Sequence, residues 1–194
     1  QLNKFVLLDP FRMLTLQSII PLIVDGDFLV TMDIQDAYFN VPVHQMCQPF
    51  LRVDFQGRHF QFQTLPFGLS TSPRVFMKVL APVVAYFHVS GISIFPYLDD
   101  WLLSASSFSK VQQDLGTILS VLQRLGLCIN LKKTSLDLSK WKCFIGVLFD
   151  TSLASVFLLA SMIQVLQSAL LHLQSLPSAS ARSWLRVQGL LAAR

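Results

Sequence analysis

Charge is what this chain has least of: only 13% of its 194 residues are Asp, Glu, Lys or Arg. Residues 79–98 and 151–181 contain none of the four. A hydropathy window flags both stretches as candidate membrane spans. The first, however, carries Pro82, His88, Gly91 and Pro96, and reads as helix, turn and strand. The second is interrupted by Ser155, Ser161, Gln164, Gln167, Ser168 and His172, too many polar positions for a span, so no membrane is expected as a partner. Cysteine is also scarce. Cys47, Cys128 and Cys143 are odd in number and show no Cys-x-x-Cys spacing, which implies no zinc site and predicts reduced thiols in a cytoplasmic or nuclear setting. Gln1-Leu2-Asn3-Lys4 has no initiator Met and no long apolar core, so no signal peptide is read there and the chain reads as cut from something larger. There is no internal repeat and no low-complexity linker. The one boundary candidate is at 150–152, where charge disappears.

The charge that is present has a net value of +4 at pH 7, which suits a phosphate-backbone partner without demanding one. Its acids are placed oddly. Tyr97-Leu98-Asp99-Asp100 sets two adjacent carboxylates at a turn between the strand-like runs Gly91-Ile92-Ser93-Ile94-Phe95-Pro96 and Trp101-Leu102-Leu103-Ser104-Ala105. Two neighbouring acids repel, and a divalent cation between them would relieve the repulsion. Upstream, Asp33-Ile34-Gln35-Asp36-Ala37-Tyr38-Phe39 again places an acid at the end of an apolar run. Alone, Asp36 reads as a helix cap or turn residue and Asp99 as a turn former. Both segments together, with Leu65-Pro66-Phe67-Gly68 between them, are a rarer combination.

Patterning supplies the frame. Residues 50–55 and 58–65 flank Gln56-Gly57 and predict a hairpin that carries Arg52 and Arg58. Ser72 caps and Pro73 starts a helix with Val75, Phe76, Val79, Leu80, Val83, Val84 and Phe87 on one face, stopping at Gly91. Val111, Leu115, Ile118, Leu119, Leu122 and Leu125 predict a second helix ending at Gly126. Strands are expected around 128–136 and over 141–149. The order strand, helix, strand, strand, helix, strand is that of a split βαβ sheet, which brings Asp33 beside the Asp99 turn.

In this order the motifs resemble reverse transcriptases. The Asp33 segment, Leu65-Pro66-Phe67-Gly68 and Tyr97-Leu98-Asp99-Asp100 are similar to the first three palm motifs. Lys132-Lys133 after Gly126-Leu127-Cys128-Ile129-Asn130 looks like the fourth, and Phe144-Ile145-Gly146-Val147-Leu148-Phe149 like the fifth, the primer grip. Leu2-Asn3-Lys4-Phe5, Leu65 to Ser70 with Pro73-Arg74-Val75-Phe76, and Tyr97 to Leu103 look most like the DIRS group of retrotransposons. The resemblance implies an α+β fold, a ferredoxin-like antiparallel palm sheet with helices on one face, partial fingers and the start of a thumb. Residues 1–32 would be residual fingers and entry to the palm. The palm would cover 33–150, with a fingers hairpin at about 50–65, and 151–194 would form thumb-like or connection helices.

The same resemblance implies RNA-directed DNA polymerisation, with nucleotidyl transfer from a dNTP to the 3′ hydroxyl of a primer on an RNA or DNA template. Two Mg2+ ions about 4 Å apart, with Mn2+ as an alternative, would activate the hydroxyl and neutralise the pyrophosphate. Asp33, Asp99 and Asp100 and the carbonyl of Ile34 would hold them. Amides of Asp36 and Ala37 would bind the triphosphate, Tyr38 would exclude a ribose 2′ hydroxyl, and Phe67 and Gly68 would line the nucleotide pocket. Lys133 would protonate the departing pyrophosphate. Pro73, Arg74, Phe144, Ile145 and Gly146 would contact primer or template. Tyr38 also reads as a core aromatic, Phe67-Gly68 as an ordinary turn, and Arg52 and Arg58 as solvated.

Reverse transcriptases grip the triphosphate with basic fingers residues before the first palm motif, and here Lys4 and Arg12 are the only cations before Asp33. The isolated chain is therefore expected to keep its metal site and to extend primers poorly or not at all. A retrotransposon polyprotein would supply its remaining partners, ribonuclease H among them. A domesticated fragment that binds nucleic acid without catalysis, and an apolar membrane protein, are the two other readings. The last helix, residues 180–191, presents Arg182 and Arg186 one turn apart, for a primer or template backbone or simply for solvent.

Overall fold

A computed structural model describes residues 2–175, 178 and 180–192. Its centre is an antiparallel sheet of β1 (Phe28–Asp33), β4 (Ser93–Tyr97), β5 (Asp100–Ala105) and β6 (Ser135–Ser139), in the spatial order β4-β5-β1-β6. Between β1 and β4 come the hairpin of β2 (Arg52–Phe55) and β3 (Arg58–Gln61), and the helix α2 (Ser72–Val89), α1 being the short helix Leu16–Ile19. Helix α3 (Phe108–Arg124) joins β5 to β6, which completes the split βαβ order expected from the pattern.

Both helices cover one face. Val30 and Met32 of β1, with Ile34 just beyond it, alternate onto that face, where Phe76, Leu80 and Phe87 of α2 and Val111, Ile118 and Leu122 of α3 bury them. The glycines end the helices as expected. Gly91 (φ +74°) and Gly126 (φ +77°) take the left-handed conformation, and the amides of Ile92 and Leu127 bond back to Phe87 and Leu122 carbonyls at 3.0 and 2.9 Å. The N-terminus of α2 differs by one residue from the sequence reading. Thr71 occupies the cap position, while the Ser72 hydroxyl donates to the Pro66 carbonyl at 2.8 Å.

The other face of the sheet is buried as well. Leu29, Phe95 and Leu102 pack there against Leu16 and Ile19 of α1 and against Phe144, Val147 and Phe149. The last three belong to a second sheet formed by β7 (Trp141–Phe144), β8 (Val147–Asp150) and β9 (Ser155–Leu158). The continuous strand expected over 141–149 is thus a hairpin. Ile145 (φ +38°) and Gly146 (φ +85°) make its turn, and a Cβ on Gly146 would come within 3.0 Å of Met162 Sδ. The strand expected around 128–136 is also shorter. Only Ile129 bridges to Ile34, residues 131–133 form a turn, and β6 starts at Ser135.

Residues 150–152, where charge stops, form a turn inside this second sheet. The Asp150 carboxylate accepts from the amides of Ser152 (3.0 Å) and Leu153 (3.2 Å), and Thr151 Oγ1 donates to the Asp27 carbonyl at 2.6 Å. The charge-free stretch continues as β9 and α4 (Ala160–Ser175), and α4 packs on α5 (Ala181–Ala192). Among the described residues no helix is long and apolar enough to cross a membrane.

Candidate active site

Strand β1 delivers Asp33 to a point where three segments meet. Its cross-strand partner is Asp100, the first residue of β5, and the Ile34 amide donates to the Asp99 carbonyl at 2.8 Å. On the other side Asp33 is met by the loop before β6. The Asp33 amide donates to Thr134 Oγ1 (3.0 Å), its carbonyl accepts from the Asn130 amide (2.8 Å), and its carboxylate accepts from Lys133 Nζ (3.3 Å). The Asp33 side chain is thereby held while 5% exposed.

The Tyr97-Leu98-Asp99-Asp100 turn is a two-residue hairpin loop, with Tyr97 paired to Asp100. Leu98 has φ +57° and Asp99 does not have a positive φ, the pattern of a type II′ turn that normally takes glycine first. A leucine in that conformation is strained, and such strain gathers at functional sites. Trp101 holds the turn in place: its Nε1 donates to the Leu98 carbonyl at 3.0 Å, and its ring is fully buried.

The acids repel. Burial, then the Asp99 and Asp33 carboxylates, push the Asp100 carboxyl above its ordinary value, with Lys133 acting the other way. Lys133 is held above the usual lysine value by its hydrogen bond to Asp33 and by the charge of that carboxylate. An open cleft lies over this group, lined by Asp33, Ile34, Gln35, Asp36, Ala37, Phe67, Asp99 and residues 129–133. Asp100 does not line it. Among the described residues no three His, Cys, Asp or Glu side chains form a ready metal cage. The carboxylates that line the cleft are Asp33 and Asp36 from one segment and Asp99 from the other. Carboxylates brought together in this way are hard oxygen donors that suit Mg2+.

After β1 the chain turns sharply at Asp36 (φ +52°) into a single 3-10 turn, Ala37–Asn40, and Asn40 Nδ2 donates back to the carbonyls of Gln35 (3.0 Å) and Asp36 (3.2 Å). Tyr38 is buried under Phe67, with ring centroids 4.9 Å apart, and meets Phe76 edge to face at 5.6 Å. Burial, and less so Asp99, raise its phenol. Phe67 itself is exposed, abuts Phe39 at 5.2 Å and lines the cleft, with Tyr38 packed behind it.

Gly68 has φ +82° with open space where a Cβ would stand, so its backbone conformation requires the glycine. Its loop is tied by Asn3, a residue outside the expected site. Asn3 Nδ2 donates to the Gly68 carbonyl (2.8 Å), and Asn3 Oδ1 accepts from the Ser70 amide (2.9 Å). Thr134 was likewise unmarked, because a threonine beside two lysines carries no pattern. The remaining expected residues lie away from the cleft lining. Pro73 and Arg74 are in the first turn of α2, with Arg74 ion-paired to Asp9. Phe144 is in the lower core, and Ile145 and Gly146 form the β7–β8 turn.

Residues 8–149 match the family model described as reverse transcriptase (RNA-dependent DNA polymerase). The chain is 25% identical over 148 residues to the genome polyprotein of Petunia vein clearing virus, covering 76% of this chain and 7% of that one. It is 31% identical over 117 residues to the Gag-Pro-Pol polyprotein of human T-cell leukemia virus 2, covering 55% of this chain and 8% of that one. It thus spans under a tenth of these relatives. The foamy viral protease-reverse transcriptase solved with double-stranded DNA superposes with a TM-score of 0.78, over 98% of this chain and 31% of that one, at 21% identity, which shows a shared fold.

Proposed function

The chain belongs to the reverse transcriptase family, and from that membership we propose that it is the palm of an RNA-directed DNA polymerase, transferring a dNTP to a primer 3′ hydroxyl. One observation carries the reading: Asp33 and Asp99, from segments 66 residues apart in the chain (99 − 33), line one cleft with Lys133 and the ring of Phe67. Mg2+ held by Asp33, Asp99 and the Ile34 carbonyl, with Asp100 behind them, would supply Lewis acidity for the attacking and leaving oxygens. The chain's own groups do the rest. The leading amides of a helical turn have no partner within it, so those of Asp36 and Ala37 serve the triphosphate. Lys133 gives its proton to the departing pyrophosphate, since an ammonium carries that proton at neutral pH. Arg182 and Arg186 on α5 offer phosphate contacts to the duplex. The parent is proposed to be a DIRS-like retrotransposon polyprotein, which the reading frame around this segment would show.

Primer extension on a homopolymer template with Mg2+ tests the reading. Extension by the chain alone is expected to be slow and strictly dependent on Asp99. Transfer that survives Asp99→Asn overturns the site assignment. Binding of primer and template with no transfer under any condition would leave only a nucleic-acid-holding role.

Two further outcomes follow from the pocket. Replacing Tyr38 by Val opens the floor beneath the sugar, and discrimination against ribonucleotides should fall roughly 10- to 100-fold, read as the ratio of kcat/KM for dNTP and rNTP. Lys133→Gln removes the proton donor while leaving the base and sugar contacts. The value of kcat should fall by about two orders of magnitude with KM for dNTP little changed.

A further inference from the structure

Lys142 is a lysine in the wrong place for a solvated surface. It lies on the same face of β7 as buried Phe144, is 8% exposed, and among the described residues has no ion-pair partner. Burying an ammonium without a counter-charge is costly, and burial holds its pKa below the usual lysine value, with Asp137 and Cys143 opposing. What it does contact is Ser135, donating to Oγ at 2.5 Å and lying 3.5 Å from the carbonyl oxygen.

Ser135 is where β6 takes hold of the central sheet, opposite Thr31. Beyond it, toward the cleft, the β1–β6 ladder stops, and Asp33 is met by loop groups: the Thr134 hydroxyl, the Asn130 amide and the Lys133 ammonium. That loop is braced within itself, the Thr134 amide donating to the Asn130 carbonyl at 2.9 Å and the Lys132 amide to Asn130 Oδ1 at 3.2 Å. The loop is held at both ends, by the Ile129–Ile34 bridge on one side and on the other by Ser135, which pairs with Thr31 and accepts from Lys142 Nζ, so the Ser135–Lys142 contact helps set where its second end lies.

We propose that Lys142 is a positioning residue for nucleotidyl transfer, clamping Ser135 so that the 130–134 loop sets Lys133 and Thr134 against Asp33. The inference rests on the roles given above to Asp33 and Lys133. Its action is confined to the loop side of the cleft, since the Tyr38 and Phe67 side is held by other contacts. Loss of the clamp should therefore affect the chemical step more than nucleotide binding.

Lys142→Met tests this, because an unbranched apolar side chain suits the buried site and should leave the melting temperature equal or higher. The expected result is a kcat roughly 10-fold lower with KM for dNTP within about twofold, as for a small misplacement of a reacting group. Combined with Lys133→Gln, the Met substitution should cost less than about twofold more, since both act through one proton donor. Amide exchange at Asp33 should be about 10-fold faster in Lys142→Met, with Leu103 in the same sheet unchanged. An unchanged kcat, or a full additional loss in the Lys133→Gln background, overturns the proposal. If the wild-type chain performs no transfer, the catalytic reading has failed on its own, and unchanged exchange at Asp33 still overturns the clamp.

Discussion

Asp99→Asn is expected to lower nucleotidyl transfer by roughly three orders of magnitude, about 4 kcal/mol of transition-state stabilisation. The reason lies in what surrounds the residue. Asp33 reaches the cleft already committed to Lys133 and the 130–134 loop, and Asp100 lies outside the cleft lining. Asp99 is the carboxylate from the hairpin that faces the cleft, so no neighbour replaces it as a cation ligand. The substitution preserves shape and removes charge, which separates loss of metal from loss of fold.

Stability measurements give a second view of the same change. The Asp100 pKa is raised in the folded protein, so its contribution to stability is fullest below the ordinary carboxylate range and is lost as pH rises through that range toward the raised value. At neutral pH the crowded acids therefore destabilise the metal-free fold, and Asp99→Asn should melt slightly higher than wild type without Mg2+. With Mg2+ the order should reverse. A cation at about 100 times its Kd stabilises the native state by about 2.7 kcal/mol, on the order of 5–10 °C for a chain of this size. Wild type should gain that shift, more at pH 7 than at pH 5 where protons compete, and Asp99→Asn should gain little of it. An equal Mg2+ shift in both proteins would remove Asp99 from the metal site.

Much of the site was legible because it is written in local motifs. An acid ending an apolar run, two acids at a turn, and glycines after amphipathic helices each have a short-range physical reason. The split sheet followed from element order alone, and it places Asp33 opposite Asp100. What escaped was long-range or masked by pattern. The run from Trp141 to Phe149 stays apolar across its turn, and nothing in an isoleucine announces φ +38° at Ile145. The second buried face was hidden for a related reason: its cover comes from that misread hairpin and from the four-residue helix α1. Asn3 makes two hydrogen bonds to residues 65 and 67 positions away and Thr134 one to a residue 101 positions away, and such partners have no sequence spacing to betray them.

The largest effect on stability is expected from Trp101→Ala. Trp101 is fully buried, meets Phe87 of α2 edge to face at 6.4 Å, and sits one residue beyond the acidic turn. Its removal leaves a large cavity between sheet and helix, and such truncations cost about 3–5 kcal/mol. Against a domain stability of about 5–15 kcal/mol, that loss should lower the melting temperature by roughly 6–20 °C. Trp101→Phe separates the two jobs of the side chain. Phenylalanine fills much of the space but cannot donate to the Leu98 carbonyl, which Trp101 Nε1 reaches at 3.0 Å. The left-handed Leu98 then loses the contact that offsets its strain, and the turn can relax away from φ +57°. Trp101→Phe should thus keep most of its thermal stability yet lose activity about 10-fold, because Asp99 shifts with the turn. Full activity in Trp101→Phe would show that the strained turn holds Asp99 in place without the indole.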